Sequence, residues 1–135
     1  MEIKTLHDDI PVFYIRADSF PDGVLDAHKK LHTLVPFSPA RKYFGLSRPE
    51  NGVIAYKAAA EELVPGEGEK LNGEMLVIPK GNYISETIPD FMKTLSLVGQ
   101  TFKQLLAYPG IDPSGYCVEW YINEMDLICM VRLSN

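Results

Sequence analysis

The last part of the chain, residues 115–133, alternates between two sets of largely apolar positions. β-Branched and aromatic residues fill two arms of this stretch, and polar residues lie between them at 123–126. The pattern predicts two β-strands joined by a tight turn. Because side chains alternate across a strand, Cys117, Glu119 and Tyr121 share one face of the first strand. Both faces are largely apolar, so Glu119 has no evident polar surface to face.

A carboxylate in such surroundings is costly to bury unless another group pairs with it. The simpler alternative is that the face bearing Glu119 is the solvent side of an antiparallel sheet, since glutamate is seldom fully buried. The residue pattern by itself favours this solvent-face alternative.

Two segments carry apolar residues at helical spacing. The first covers residues 21–35 and ends at Pro36. The second covers residues 89–108, where the i, i+3, i+4, i+7 pattern is regular and Pro109-Gly110 ends it. We expect an amphipathic helix over each segment.

The remaining strands are predicted from β-propensity and from turn residues. They cover residues 11–17, 42–47, 53–59 and 74–79, and the last of them continues after Lys80-Gly81 over residues 82–86. Asn51-Gly52 favours a hairpin between the second and third of these. Residues 1–9 are polar and mixed and predict no element, and the Gly- and Glu-rich residues 61–73 are expected to connect two halves.

The order strand, helix, strand, strand therefore occurs twice. We predict an α+β fold in which duplicated βαββ units, at about residues 10–62 and 73–135, form an antiparallel sheet with two helices on one face. The groove between pseudo-twofold-related halves is a natural ligand site. A chain of 135 residues fits a single domain.

Composition and charge narrow the class of protein. A net charge of −5 argues against nucleic acid as a direct partner. The apolar runs are too short for a membrane span and no signal peptide is evident, so we expect a cytoplasmic protein without a membrane partner. Cys117 and Cys129 show no metal-binding spacing and are expected to be free thiols in a reduced compartment.

Four motifs follow one another along the chain: Tyr43-Phe-Gly-Leu-Ser47, Val53-Ile-Ala-Tyr56, Ile78-Pro-Lys-Gly-Asn-Tyr83 and Glu119-Trp-Tyr121. This arrangement resembles the GyrI-like small-molecule-binding family, which is similar to the effector-binding domain of multidrug-sensing transcription activators. The resemblance extends from about Pro11 to the end of the chain. It includes no helix-turn-helix, so a DNA-binding role is not implied.

The resemblance implies that Glu119 lies at the base of an aromatic-lined pocket and pairs with cationic, lipophilic ligands. On this basis a buried Glu119 replaces the solvent-face alternative. The ligand-binding residues that we expect are Glu119, Tyr121, Tyr43, Tyr56, Tyr83 and Trp120. An isolated carboxylate in an apolar cage should have a raised pKa, and tyrosines add cation–π attraction. For each tyrosine, ordinary strand packing is the alternative.

Two classes of function follow from this resemblance. The favoured one is a stand-alone sensor or sequestering protein for amphipathic, cationic small molecules. The other is a hydrolase that opens strained rings of genotoxic natural products, with Glu119 as acid or base. A gyrase-inhibitor-like interaction is a third reading that rests on the family name alone. No second titratable group is evident beside Glu119, which is why binding is favoured.

No cofactor and no metal are expected. His28 and His32 are spaced i, i+4 on one helix, but no third ligand is evident, so helix packing is the favoured interpretation. The sequence leaves open a homodimer, a separate regulatory protein and the identity of the ligand.

Overall fold

The computed structural model describes residues 1–134. The strands are β1 (Glu2–Leu6), β2 (Ile10–Arg16), β3 (Tyr43–Glu50), β4 (Val53–Glu61), β5 (Glu74–Ile78), β6 (Gly81–Ile88), β7 (Cys117–Tyr121) and β8 (Leu127–Arg132). The helices are α1 (Val24–Leu34), the short α2 (Glu67–Lys70) and α3 (Ser96–Leu106), and a 3₁₀ turn occupies Phe91–Lys93.

The strands form one antiparallel sheet in the order β1-β6-β8-β7-β3-β4-β2-β5. This order is symmetric about the central β7–β3 pair, since β8 and β6 follow on one side as β4 and β2 do on the other. The first strand of each half pairs with the second strand of the other half, as β1 does with β6 and β5 with β2. The predicted α+β fold with an antiparallel sheet is confirmed.

The sheet curls so that its two edges approach each other. Strands β1 and β2 lie near opposite edges, yet only residues 7–9 join them, which forces the edges together at that end. A hydrophobic cluster inside the curl therefore contains Leu6 from β1 and Ile10 from β2 together with Phe44 and Val118 from the central strands.

Helices α1 and α3 cover the outer face of the sheet. Helix α1 packs on β2 and β4, and α3 packs on β6 and β8. Each helix has its own hydrophobic cluster, with Leu31 at the centre of the first and Leu105 at the centre of the second. The central strands β3 and β7 lie between these two clusters.

Two local expectations were wrong, and one expected connector contains an element of its own. Residues Glu2–Leu6 form a strand, because they pair along the exposed edge of β6, where only Leu6 needs to be buried. The segment 89–108 is not one helix, because Asp90 takes a left-handed conformation and a 3₁₀ turn precedes α3. The connector 61–73 contains the short helix α2.

No helix in the described part of the chain is both long enough and apolar enough to cross a membrane.

Candidate functional site

Glu119 lies at the centre of the sheet, on β7, directly opposite Gly45 of β3. The neighbouring residues Val118 and Trp120 belong to the cluster inside the curl, whereas Tyr121 packs with the clusters under the helices. Alternation along β7 therefore points the Glu119 side chain outward, into the space between α1 and α3.

Two tyrosine hydroxyls hold the Glu119 carboxylate. Tyr56 of β4 and Tyr121 of β7 each donate a hydrogen bond to Oε1 over 2.7 Å. The two hydroxyl oxygens lie 3.2 Å from each other. One carboxylate oxygen thus accepts both bonds.

The second oxygen, Oε2, remains available. Within residues 1–134 it accepts no hydrogen bond, and it is not one of the buried unpaired atoms, so it keeps access to solvent. No cationic group in the described residues forms an ion pair with Glu119. The carboxylate therefore has two neutral donors and no counter-charge.

Gly45 makes this arrangement possible. A Cβ atom at this position would meet the Tyr56 hydroxyl and Glu119 Oε1 at distances that atoms do not adopt. Because Gly45 has no side chain, the Tyr56 hydroxyl and the Glu119 carboxylate can both lie close to its backbone and contact each other there. The glycine in the motif Tyr43-Phe-Gly-Leu-Ser47 is the sequence signal for this close approach.

The surroundings of Glu119 favour its neutral form. Glu119 keeps some exposed surface, but its carboxylate is densely surrounded, and this burial raises its pKa although the hydrogen bonds from Tyr56 and Tyr121 oppose the rise. Burial, followed by the charge of Glu119, holds the pKa of both tyrosines well above 10.0. The tyrosines therefore remain protonated donors at neutral pH.

His28 of α1 closes the cluster from the helix side. Its Nε2 atom lies 2.8 Å from the Tyr56 hydroxyl. Its ring meets Tyr121 edge-on, with the ring centroids 5.3 Å apart. Burial, with a smaller contribution from His32, lowers the pKa of His28 to about 4, so the imidazole is neutral at pH 7.

A groove of about 560 Å³ lies above this cluster, between α1 and the 3₁₀ turn. Its largely apolar lining consists of Pro21, Asp22, Val24, Leu25, His28, His32, Phe37, Tyr43, Phe91, Met92, Leu95, Tyr121, Asn123 and Glu124. His28 and Tyr121 line the groove and also contact Tyr56, so Tyr56 and Glu119 lie one layer beneath its floor.

The groove carries more than one carboxylate. Asp22 and Glu124, both exposed, lie among its lining residues. Glu119 is therefore not the only carboxylate close to the groove. Exposed rim carboxylates are screened by solvent and salt, whereas a carboxylate beneath the floor is screened less.

The structure brings four of the six expected site residues to this region. Tyr121 and Tyr43 line the groove, and Tyr56 and Glu119 lie beneath it. Trp120 lies on the other side of the sheet, where its ring centroid is 5.8 Å from that of Phe44.

Tyr83 also lies inside the curl, where its hydroxyl donates to the carbonyl of Pro79 over 2.6 Å. It lines a separate cavity of about 240 Å³ with Arg48, Tyr116 and Arg132. The break at residues 79–80 separates β5, which pairs with β2, from β6, which pairs with β1 and β8. The sequence analysis treated these residues as one continuing strand and did not predict this change of partner.

Sequence reasoning missed three residues around the site. Phe20 stacks on Tyr56 with ring centroids 5.9 Å apart, and Phe91 packs against Tyr121 at 5.6 Å. His28 was interpreted as helix packing. Its spacing in the helical pattern identified the face toward the sheet, but nothing in the sequence placed Tyr56 beneath it.

Both cysteines are free, as expected. They flank Glu119, since Cys129 pairs with it across β7 and β8 and Cys117 lies two residues before it. Burial and the nearby Glu119 raise the pKa of Cys117 to about 11 and that of Cys129 to about 12. These thiols are poor nucleophiles at neutral pH. No group of three or more potential metal ligands occurs among residues 1–134.

Comparison with known proteins reveals similarity at the level of structure. No protein-family model matches the chain, and no curated protein matches its sequence. An integron cassette protein from Vibrio cholerae superposes with a TM-score of 0.73 at 12% identity, covering 98% of this chain and 94% of that one.

Two further solved structures share the fold. SAV2435, solved bound to tetraphenylphosphonium, has a TM-score of 0.69 at 11% identity, covering 99% of this chain and 93% of that one. A hydrolase from Listeria innocua has a TM-score of 0.52 at 10% identity, with 98% and 90% covered. The chain therefore shares its overall architecture with proteins of known structure.

Proposed function

We propose that this protein binds amphipathic, cationic small molecules in the groove between α1 and the 3₁₀ turn, with Glu119 as the principal negative charge. The observation that carries the proposal is a carboxylate with no counter-charge beneath a largely apolar groove. Such a group is destabilised as an anion until a cation arrives, so a cationic ligand gains more from it than from an exposed carboxylate.

The groove suits a ligand with large apolar groups. Its volume of about 560 Å³ lies in the range of small-molecule sites. Phe37 and Tyr43 are stacked at one end, with ring centroids 5.3 Å apart. Tyr121 and His28 present further rings in front of Glu119. Aromatic faces attract cations by roughly 0.5–2 kcal/mol each, depending on desolvation.

The bound ligand of one structural neighbour supports the same chemistry. SAV2435 was solved with tetraphenylphosphonium, which is a lipophilic cation. At 11% identity the likeness concerns the fold, so it is the unpaired Glu119 of this chain that carries the proposal.

Calorimetric titration with tetraphenylphosphonium at pH 8 tests the proposal. Glu119→Gln should weaken binding by about tenfold or more, which corresponds to about 1.4 kcal/mol. Glu124→Gln, at the exposed rim, is the matched control and should change affinity by less than about threefold. The uncharged triphenylphosphine oxide should bind wild type and Glu119→Gln alike. Equal affinity of wild type and Glu119→Gln for the cation would refute the proposal.

A second candidate is hydrolysis of a strained electrophilic ring. Two features favour it: Oε2 of Glu119 accepts no hydrogen bond, and the raised pKa of this carboxyl suits proton donation. Water would form a bond to one ring atom as the strained bond breaks, Glu119 would protonate the other atom of that bond, and the proton that the water releases would return to Glu119. A structural neighbour is a hydrolase. Incubation with an activated cyclopropane separates the candidates, since product formation that Glu119→Gln abolishes while binding persists indicates an enzyme.

A further inference from the structure

The hydrogen-bond chain that starts at His28 has a fixed direction. Tyr56 has one hydroxyl proton, which it donates to Glu119 Oε1 over 2.7 Å. The oxygen of the same hydroxyl lies 2.8 Å from His28 Nε2. Because the Tyr56 proton is already committed to the carboxylate, Nε2 must carry the proton of this contact and donate to Tyr56.

Tyr121 does not offer an alternative donor to Tyr56. Its single proton is also donated to Glu119 Oε1, over 2.7 Å. The Tyr56 side chain is only 2% exposed, so water is not a ready substitute either. His28 is therefore the one group among the described residues that satisfies the Tyr56 oxygen as a donor.

The imidazole is held in place for this task. Its ring meets Tyr56 and Tyr121 at centroid distances of 5.7 and 5.3 Å, with interplanar angles of 66° and 86°. It also lines the groove. Because burial lowers the pKa of His28 to about 4, the ring has one N–H above pH 5, and the contact with Tyr56 assigns that proton to Nε2.

We propose that His28 is a positioning residue of the candidate site: its Nε2–H donates to Tyr56, directs the Tyr56 hydroxyl at Glu119 and thereby favours the ionised carboxylate. Hydrogen bonds in series polarise one another, so a donor behind Tyr56 strengthens the bond that Tyr56 gives to the anion. This inference rests on the proposed function, because the ionised carboxylate matters only if a cation binds there.

Other titratable groups surround the hydrogen-bonded series of His28, Tyr56 and Glu119. A test of the inference must leave these groups in place. They are Tyr121 and Cys117 of β7, Cys129 of β8, His32 of α1, and the rim residues Asp22 and Glu124. The variants described next leave all of them in place except His32, which serves as the control.

Nuclear magnetic resonance of the ligand-free protein tests the inference. The ¹⁵N spectrum of His28 should show a protonated Nε2 and a bare Nδ1. In a ¹³C titration of the Glu119 carboxyl, His28→Phe should raise the pKa, because it keeps a ring but removes the donor. His28→Gln, whose amide N–H can replace Nε2–H, should stay close to wild type.

His32→Phe is the matched control, since His32 lies one turn further along α1 and its Nδ1 contacts the Val35 carbonyl rather than Tyr56. It should leave the Glu119 titration unchanged. A proton on Nδ1 of His28 in the wild type would overturn the inference whether or not any variant folds. So would a folded His28→Phe with the wild-type titration of Glu119.

A binding measurement adds a second readout. At pH 7, His28→Phe should bind tetraphenylphosphonium about two- to fivefold more weakly than His28→Gln does. Equal affinities of the two variants would count against the inference. If the wild type does not bind the cation at all, the proposed function fails, whereas the tautomer and the carboxyl titration still decide the role of His28.

Discussion

Gly45 shows how a single position controls the candidate site. A Cβ there would collide with the Tyr56 hydroxyl and Glu119 Oε1. We therefore expect Gly45→Ala to destabilise the protein by about 1–3 kcal/mol, the usual cost of overpacking. Urea denaturation measures this loss. An unchanged unfolding free energy would mean that the carboxylate and the tyrosine can separate without cost.

The matched glycine control lies in α3. Gly99 is an exposed residue near the start of this helix, and a Cβ there would meet nothing within 4 Å. Gly99→Ala should stabilise the protein by about 0.5–1 kcal/mol, because alanine loses less backbone entropy in a helix. If Gly45→Ala destabilises the protein and Gly99→Ala stabilises it, the loss at Gly45 comes from the collision with Tyr56 and Glu119.

Glu119 should reduce the stability of the empty protein at neutral pH. Its pKa in the folded state lies above the ordinary value of 4.5. Between 4.5 and the raised value, the folded state binds more protons than the unfolded state does, so stability falls as pH rises. Glu119→Gln should therefore raise the free energy of unfolding by on the order of 1 kcal/mol at pH 8, which corresponds to about 3–5 °C in Tm. At pH 4 it should change the stability little.

Thermal unfolding at both pH values checks this expectation. Equal gains at pH 4 and pH 8 would show that the substitution acts through packing rather than through charge. A loss of stability at pH 8 would show that the tyrosine hydrogen bonds outweigh the desolvation of the carboxylate.

At the residue scale, sequence patterns predicted part of the site. The alternation along β7 correctly placed Glu119 and Tyr121 on one face of the strand and Trp120 on the other. Once Glu119 faces the helices, the same alternation places Trp120 inside the curl. The outward direction of Glu119 did not follow from that alternation. It depends on which face the helices cover, and both faces of β7 are apolar.

At the element scale, the β3–β4 hairpin contains an ion pair between a buried lysine and a partly exposed glutamate. Lys57 of β4 is 4% exposed, and its ammonium lies 3.1 Å from Glu50 Oε2 of β3. The Tyr116 hydroxyl accepts a second hydrogen bond from it. Bonds from Arg48 and then Lys57 lower the pKa of Glu50 to about 2.

Removing only the carboxylate should be costly, because it leaves a buried ammonium without a counter-charge. We expect Glu50→Gln to lower the free energy of unfolding by about 2–4 kcal/mol at pH 7. Lys57→Met removes the buried charge itself and should lower the free energy of unfolding by about 1 kcal/mol or less. A group with a lowered pKa stabilises above its unfolded value, so the effect of Glu50→Gln should fade as pH drops from 4.5 toward 2. Urea denaturation at several pH values between 4.5 and 2 measures this change. A destabilisation by Glu50→Gln that stayed constant over this pH range would contradict the prediction.

Elements with strong local signals were predicted well. Asn51 and Gly52 both adopt positive φ and form the turn between β3 and β4. Helices α1 and α3 lie within the predicted segments. Strand β1 could not be predicted because its polar residues become a strand only through pairing with β6, which is distant in sequence.

At the scale of the whole molecule, the internal repeat explains where the groove lies. The two halves meet at β3 and β7, and each contributes one helix to the outer face, so the space between the helices lies over the centre of the sheet. The repeat of strand, helix, strand, strand was readable from the sequence. The exchange of β1 and β5 between the halves was not, because it depends on long-range pairing.

The most direct test of the account is the pH dependence of tetraphenylphosphonium affinity in wild type and Glu119→Gln. Wild-type affinity should fall as pH drops through the raised pKa of Glu119, because protonation removes the charge that attracts the cation. The Glu119→Gln protein keeps the other titratable groups of the groove, so any pH dependence that it retains does not come from Glu119. We predict a steep wild-type curve and a nearly flat variant curve; two superimposable curves would contradict the central claim.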